Sequence, residues 1–274
     1  MKRFINISKE VVSEFQKDDV PLLAAAQAYY YLLSIVPLLI LLLSILPYLN
    51  IEAESAVTFI SNTLPDGTAS VFQDNIISLV TTPKGGLLTI GIIGTLWSAS
   101  SGMTAFIKST NQAYNVEESR SFIQVKLLSI ILTLGLIVAF AVALVLPVFG
   151  DVIFQFIERF VSIPMEIRVL LEIARWFISL VVLGGVLLLL YRFAPNTKLP
   201  FKRIVPGAAI TTVLWLMISF AFSFYVSNFG SYSATYGSLG GVVILMIWFF
   251  LTGLILMLGA EINVVYQRYK TSSM

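Results

Sequence analysis

Long apolar runs constrain this chain more than any other feature. Six stretches can each cross a membrane, near Leu22 to Leu49, Gly86 to Thr110, Phe122 to Phe149, Val169 to Tyr191, Ile204 to Phe229 and Leu239 to Tyr266, because a hydrocarbon core of about 30 Å takes roughly 20 helical residues. In lipid every backbone N–H and C=O must find its partner inside the protein, which leaves helices and closed barrels. The runs are rich in Leu and Ile, and none shows sustained strand alternation. The expected fold class is therefore all-α, a polytopic membrane protein with six transmembrane helices forming one integral domain over residues 1–274. A composition of 58% hydrophobic and 12% charged residues fits lipid as the main solvent.

Charge sets the expected orientation, since loops on the cytoplasmic side carry the excess of Lys and Arg. Lys2, Arg3, Lys9 and Lys17 precede the first run, and Lys108, Arg120 and Lys126 flank the second-to-third connection. Arg192, Lys198, Lys202 and Arg203 flank the fourth-to-fifth, and Arg268 and Lys270 follow the last. With an even number of spans all of these fall on one side, so both termini are expected in the cytoplasm of a cell (inner) membrane protein. The other side has Lys84, Arg159, Arg168 and Arg175, and it gathers the acids Glu52, Glu54, Asp66, Asp74, Asp151, Glu158 and Glu166. Residues 1–20 lack the apolar core and cleavage site of a secretory signal, and are read as a retained cytoplasmic segment. Phe4, Ile7, Val11 and Phe15 recur there at helical spacing, which suits a helix lying on an anionic membrane face or one packed on neighbouring loops. The connections 51–83 and 151–166 carry the same kind of pattern and are read as short amphipathic interfacial helices.

The chain has neither His nor Cys. That removes the commonest metal ligand and general base, every thiol nucleophile and every disulfide. No metal site, no cofactor and no catalytic residue is expected, and a formal charge of +2 spread along the chain does not suit a nucleic-acid partner. Membrane lipids and an amphipathic substrate are the expected partners, with the oligomeric state open.

Several residues stand out against the apolar background. Glu261 follows a long apolar run near the cytoplasmic end of the last span, where an unpaired carboxylate costs on the order of 3 kcal/mol. It reads either as a proton- or ion-coupling residue or as an interfacial acid paired with Arg268 or Lys270. The second span carries a polar stripe in which Ser98, Ser101, Lys108, Asn111 and Gln112 stand as candidates for a substrate cavity wall. Small and hydroxylated residues on one face equally serve helix packing. Pro37 and Pro47 interrupt the first span and are candidate hinges. Arg168, Glu172 and Arg175 share one face at the outer start of the fourth span, as an ion-pair cluster at the rim or a substrate gate.

Taken in order, several blocks resemble the YihY/BrkB family of bacterial inner-membrane proteins, once labelled ribonuclease BN. They are Pro21-Leu22-Leu23-Ala24-Ala25-Ala26-Gln27-Ala28-Tyr29-Tyr30 with Ser34 and Pro37, then Leu96-Trp97-Ser98-Ala99, then Asn111-Gln112-Ala113-Tyr114. The later half adds Tyr191-Arg192-Phe193-Ala194-Pro195-Asn196, Pro206-Gly207-Ala208, Tyr236-Gly237-Ser238-Leu239-Gly240, Trp248 and Gly259-Ala260-Glu261. The resemblance implies a six-helix envelope protein linked to envelope integrity and to export of lipid-like or amphipathic compounds. The nuclease label fits poorly with residues that supply no nucleophile and base for phosphodiester cleavage. Without a GxxxxGK[ST] motif, any active transport must draw on an ion gradient or a partner. The functional expectation is thus a membrane transporter or exporter of an amphipathic envelope molecule, the alternatives being a non-transporting scaffold or an ion-coupled small-solute transporter.

Overall fold

Leu-rich and Ile-rich runs of this length are expected to coil in lipid, and in the computed structural model their described residues do. It describes residues 2–38, 41, 85–138, 165–229 and 239–271. Seven helices carry the argument: α1 (Lys2–Lys17), α2 (Val20–Leu33), α3 (Gly85–Ala113), α4 (Phe122–Val138), α5 (Met165–Phe193), α6 (Phe201–Phe229) and α7 (Gly240–Thr271). No strand occurs among the described residues. The protein is an all-α membrane protein. Val20–Leu38, Leu88–Ala113, Phe201–Val226 and Gly240–Thr271 are long and apolar enough to cross a membrane, and Phe122–Val138 and Phe177–Phe193 are shorter apolar helices. Phe122, Ile123 and Phe220 are at least 75% exposed in the isolated chain, the exposure expected of side chains whose solvent is lipid. Pro47 and the connections 51–83 and 151–164 lie outside the described residues.

The chain divides into two compact units, 1–29 with 100–274, and 30–99. In the smaller unit the first span is interrupted at Ser34, three residues before Pro37. The Ser34 hydroxyl donates to the Tyr31 carbonyl at 2.6 Å, and the Ser34 N–H is shared between the carbonyls of Tyr30 and Tyr31. Pro37 has no N–H to give the Leu33 carbonyl, and the ladder resumes beyond it with the Leu38 N–H on the Ser34 carbonyl at 3.1 Å. A Cβ on Gly91 would stand 2.9 Å from the Leu41 Cα, which makes Gly the residue that admits this approach.

In the larger unit α7 packs along α6, α6 along α5, and α1 against α7. Its core runs through Phe106 and Ile107 of α3, Leu187 and Tyr191 of α5, Ile204 and Ala208 of α6, and Met257, Ala260 and Val264 of α7. Close approach depends on two glycines. A Cβ on Gly259 would overlap the Thr211 and Tyr191 hydroxyls, and one on Gly207 would overlap the Gly259 carbonyl and the Asn263 side chain. Polar groups rivet the same seam. The Tyr191 hydroxyl donates to the Leu256 carbonyl at 2.7 Å and meets the Thr211 hydroxyl at 2.9 Å. Beside Pro206, the Gly207 N–H donates to Asn263 Oδ1 at 2.8 Å.

Candidate functional site

The charged joint between α1 and α2 builds the site. Helix α1 ends at Lys17, and Asp19 takes a left-handed backbone (φ 47°), a conformation that Asp tolerates better than most residues. The Asp19 carbonyl then accepts the N–H groups of Leu22 and Leu23, which starts α2 at once. The sharp turn carries Asp18 inward, where it is 5% exposed, and Gln112 of α3 donates to the Asp18 carbonyl at 3.0 Å. Glu14 lies one turn earlier on α1 and Glu261 arrives from α7. A carboxylate oxygen from each of Glu14, Asp18 and Glu261 lies within 4.8 Å of the others.

These acids differ in how they are satisfied. Arg268 forks onto Glu14, with Nη1 2.9 Å from Oε1 and Nη2 3.1 Å from Oε2, and reaches Glu10 at 3.7 Å. Lys17 adds a contact to Glu14 at 3.5 Å. The Arg268 guanidinium holds the Glu14 carboxyl below the usual carboxylate range, against the effect of burial. Burial pushes the Asp18 carboxyl above its ordinary range; Lys17 pulls against that shift and Glu14 adds to it. Glu261 is 0% exposed; its carboxyl meets that of Asp18, and neither of its oxygens has a nitrogen or hydroxyl donor among the described residues. Asp18 Oδ2 is in the same position. The sequence offered Arg268 or Lys270 as the partner of Glu261. Instead Arg268 serves α1, and the Lys270 ammonium lies over the Tyr266 ring.

Next to this centre a polar lattice ties two connections together. Asn111, 5% exposed, donates to Glu118 at 2.8 Å and accepts the Asn196 N–H at 2.7 Å. Asn196 donates in turn to the Glu117 carbonyl and the Ser119 hydroxyl, both at 2.8 Å. Arg120 closes the loop with a bidentate grip on Glu118 and a 2.9 Å bond to the Ala194 carbonyl. That grip holds the Glu118 carboxyl below its usual range, with help from Asn111.

The candidate cavity residues are therefore placed differently from one another. Asn111 lies in the lattice, Gln112 holds Asp18, and the Ser101 hydroxyl accepts from Lys126 at 3.2 Å. Lys108 is exposed, and Ser98 is half-buried in the smaller unit. Pro37 follows the interruption at Ser34. The positions of Arg168, Glu172 and Arg175 fall within α5, but their side chains are outside those described. Sequence reasoning singled out Glu261 and passed over Glu14 and Asp18, which read as part of a solvated charged segment. The one available signal was Asp18-Asp19 directly ahead of an apolar run.

A model of the virulence factor BrkB family matches residues 11–273. A ribonuclease-like protein of Bacillus subtilis strain 168, YfkH, is 42% identical over 262 residues, covering 96% of this chain and 95% of the relative. A UPF0761 membrane protein of Tolumonas auensis is 29% identical over 92% of this chain and 82% of its own length. Another, from Vibrio vulnificus strain YJ016, is 26% identical over 92% of this chain and 80% of its own length. No solved structure matches the chain.

Proposed function

The chain belongs to the BrkB family of membrane proteins, and from that premise we propose that it is a six-span transporter of an amphipathic, lipid-like envelope molecule, coupled to an ion through Glu261. The observation that carries the coupling role is the carboxylate of Glu261, fully buried in a span and without a donor among the described residues. Such a group is costly in a helix that only has to pack, and a transported or coupling ion gives it a reason to be there. The basic ends of the helices support an inner-membrane protein with both termini in the cytoplasm. In this reading Ser101 and Lys108 face the substrate path, while Asn111 and Gln112 hold its cytoplasmic end in shape. A role in envelope integrity follows if the cargo is an envelope lipid. Ribonuclease activity is no part of the proposal, because a chain without His or Cys offers poor material for that chemistry.

Reconstituted in liposomes, the protein is expected to move a labelled lipid under an imposed ion gradient. Glu261→Gln is expected to lower that flux roughly tenfold or more, the effect of about 1.4 kcal/mol on a barrier, and Lys108→Ala to lower it less. Flux unchanged by Glu261→Gln takes the residue out of the mechanism. Absence of flux in the wild type, with stable copurifying envelope proteins, points to a scaffold instead.

A further inference from the structure

We infer that Glu14, Asp18 and Glu261 form a binding site for a hard divalent cation of about calcium or manganese size. The inference rests on the reading of Glu261 as an ion-coupling residue and gives that ion a class and two further ligands.

Acidic side chains gathered at a surface need no ligand, because water solvates them. Here the surroundings are different. Glu14, Asp18 and Glu261 are 8%, 5% and 0% exposed, and three of their oxygens have no donor among the described residues. Beside them the Tyr114 hydroxyl and the Asn263 side chain face each other, and Asn263 is 1% exposed. Buried polar groups are nearly always satisfied, so buried carboxylate oxygens of Asp18 and Glu261 that meet only one another point to a cation between them. The nearby cations do not. Arg268 is engaged by Glu10 and Glu14, and Lys17 reaches Glu14 from a side chain that is 57% exposed.

Charge and size indicate the class of ion. The three carboxylates together with Arg268 leave an excess of two negative charges, which a divalent cation cancels. Carboxylate oxygens select hard cations. Ligand oxygens that all lie within 4.8 Å of one another are close enough to converge on one ion, which with bonds of about 2.4 Å holds three of them within roughly 4.2 Å; that small adjustment suits the flexible coordination of calcium better than the strict octahedron of magnesium. Glu14 can ligate while it holds Arg268, since each carboxylate oxygen has two lone pairs.

The site can be tested on the full chain in nanodiscs of neutral phosphatidylcholine, which keeps anionic headgroups out of the measurement. After treatment with a chelator the protein is titrated with MnCl2, and bound manganese is followed by electron paramagnetic resonance, with CaCl2 as competitor. One saturable site per chain is expected, displaced by calcium. Asp18→Asn and Glu261→Gln are each expected to weaken binding by roughly tenfold or more, because affinity at such sites follows the number of charged ligands. Glu117→Gln, on an exposed loop, should leave binding unchanged. Should either variant fail to fold, the wild-type titration decides, together with a thermal midpoint that calcium should raise. No saturable uptake by the wild type, or uptake unchanged in both folded variants, overturns the inference. Flux that depends on Glu261 without cation binding would leave the transporter reading standing and remove this one. Binding without flux would do the opposite.

Discussion

Glu14 and Asp18 lie one helical turn apart and are driven in opposite directions, Glu14 down by the fork of Arg268 and Asp18 up by burial. The two shifts have opposite linkage to pH. A carboxyl whose folded pKa is lowered contributes stability above its unfolded value and loses it as pH falls through the folded one. Asp18, with its pKa raised, contributes below its ordinary 3.8 and loses that contribution as pH rises through the folded value. Glu118, held down by Arg120, belongs to the first class and is easier to isolate because it lies outside the spans. The unfolding free-energy difference between wild type and Glu118→Gln in detergent should be about 1 kcal/mol at pH 7. It should shrink as pH falls below the ordinary glutamate value of 4.5; a difference that stays constant down to pH 3 would show that the Arg120 grip adds nothing. At this scale Glu261 was legible, because a carboxylate inside an apolar run has few explanations. Asp18 was not, since only the turn at Asp19 takes it out of a segment that otherwise looks solvated. Asn111 was read as a cavity wall because its partner Asn196 is 85 residues away.

Among the elements, α5, α6 and α7 meet most tightly at Gly207, Gly259, Tyr191 and Thr211. No side chain fits at Gly259 without displacing two hydroxyls that are already bonded. Gly259→Ala should therefore destabilise the protein by about 3 kcal/mol, measured by thermal or SDS unfolding in detergent. A loss below about 0.5 kcal/mol would mean the seam can relax. Helix α3 illustrates a different control. It ends where Asn115 adopts a left-handed φ of 51° and the Val116 N–H returns to the Asn111 carbonyl at 3.0 Å, a helix stop to which Asn is suited. The apolar runs revealed where helices lie, because length and periodicity are local properties. Which faces meet was hidden, because the small residues of Gly259-Ala260 give the same pattern whether they face lipid or another helix.

In the larger unit, the helix ends that carry the basic residues gather together. Arg268 reaches α1, Gln112 reaches Asp18, Asn111 reaches Asn196, and Arg203 lies 3.4 Å from the Thr271 hydroxyl. The charge asymmetry and the packing thus agree on which segments share a side. In a chain without native cysteine, single cysteines placed at Glu117 and Lys198 should react with an impermeant maleimide only after the inner membrane is opened. A cysteine at Asp66 should react in intact spheroplasts. The reverse pattern would invert the proposed topology. The gathering of Lys and Arg on alternate connections was legible in the sequence because such counts need no tertiary information, whereas the buried carboxylate centre needed the fold.

Glu14 and Asp18 are synthesised before the first span, and Glu261 and Arg268 only within and after the last apolar run. Their meeting spans 254 residues at its widest. With the proposed topology, α1 waits on the ribosome side during synthesis, with Glu14 and Asp18 facing water, while every intervening helix enters the bilayer. The centre closes only when α7 is released, which makes its assembly a late checkpoint on insertion: a chain stalled before α7 would present an undocked, charged α1 to the quality-control proteases of the membrane.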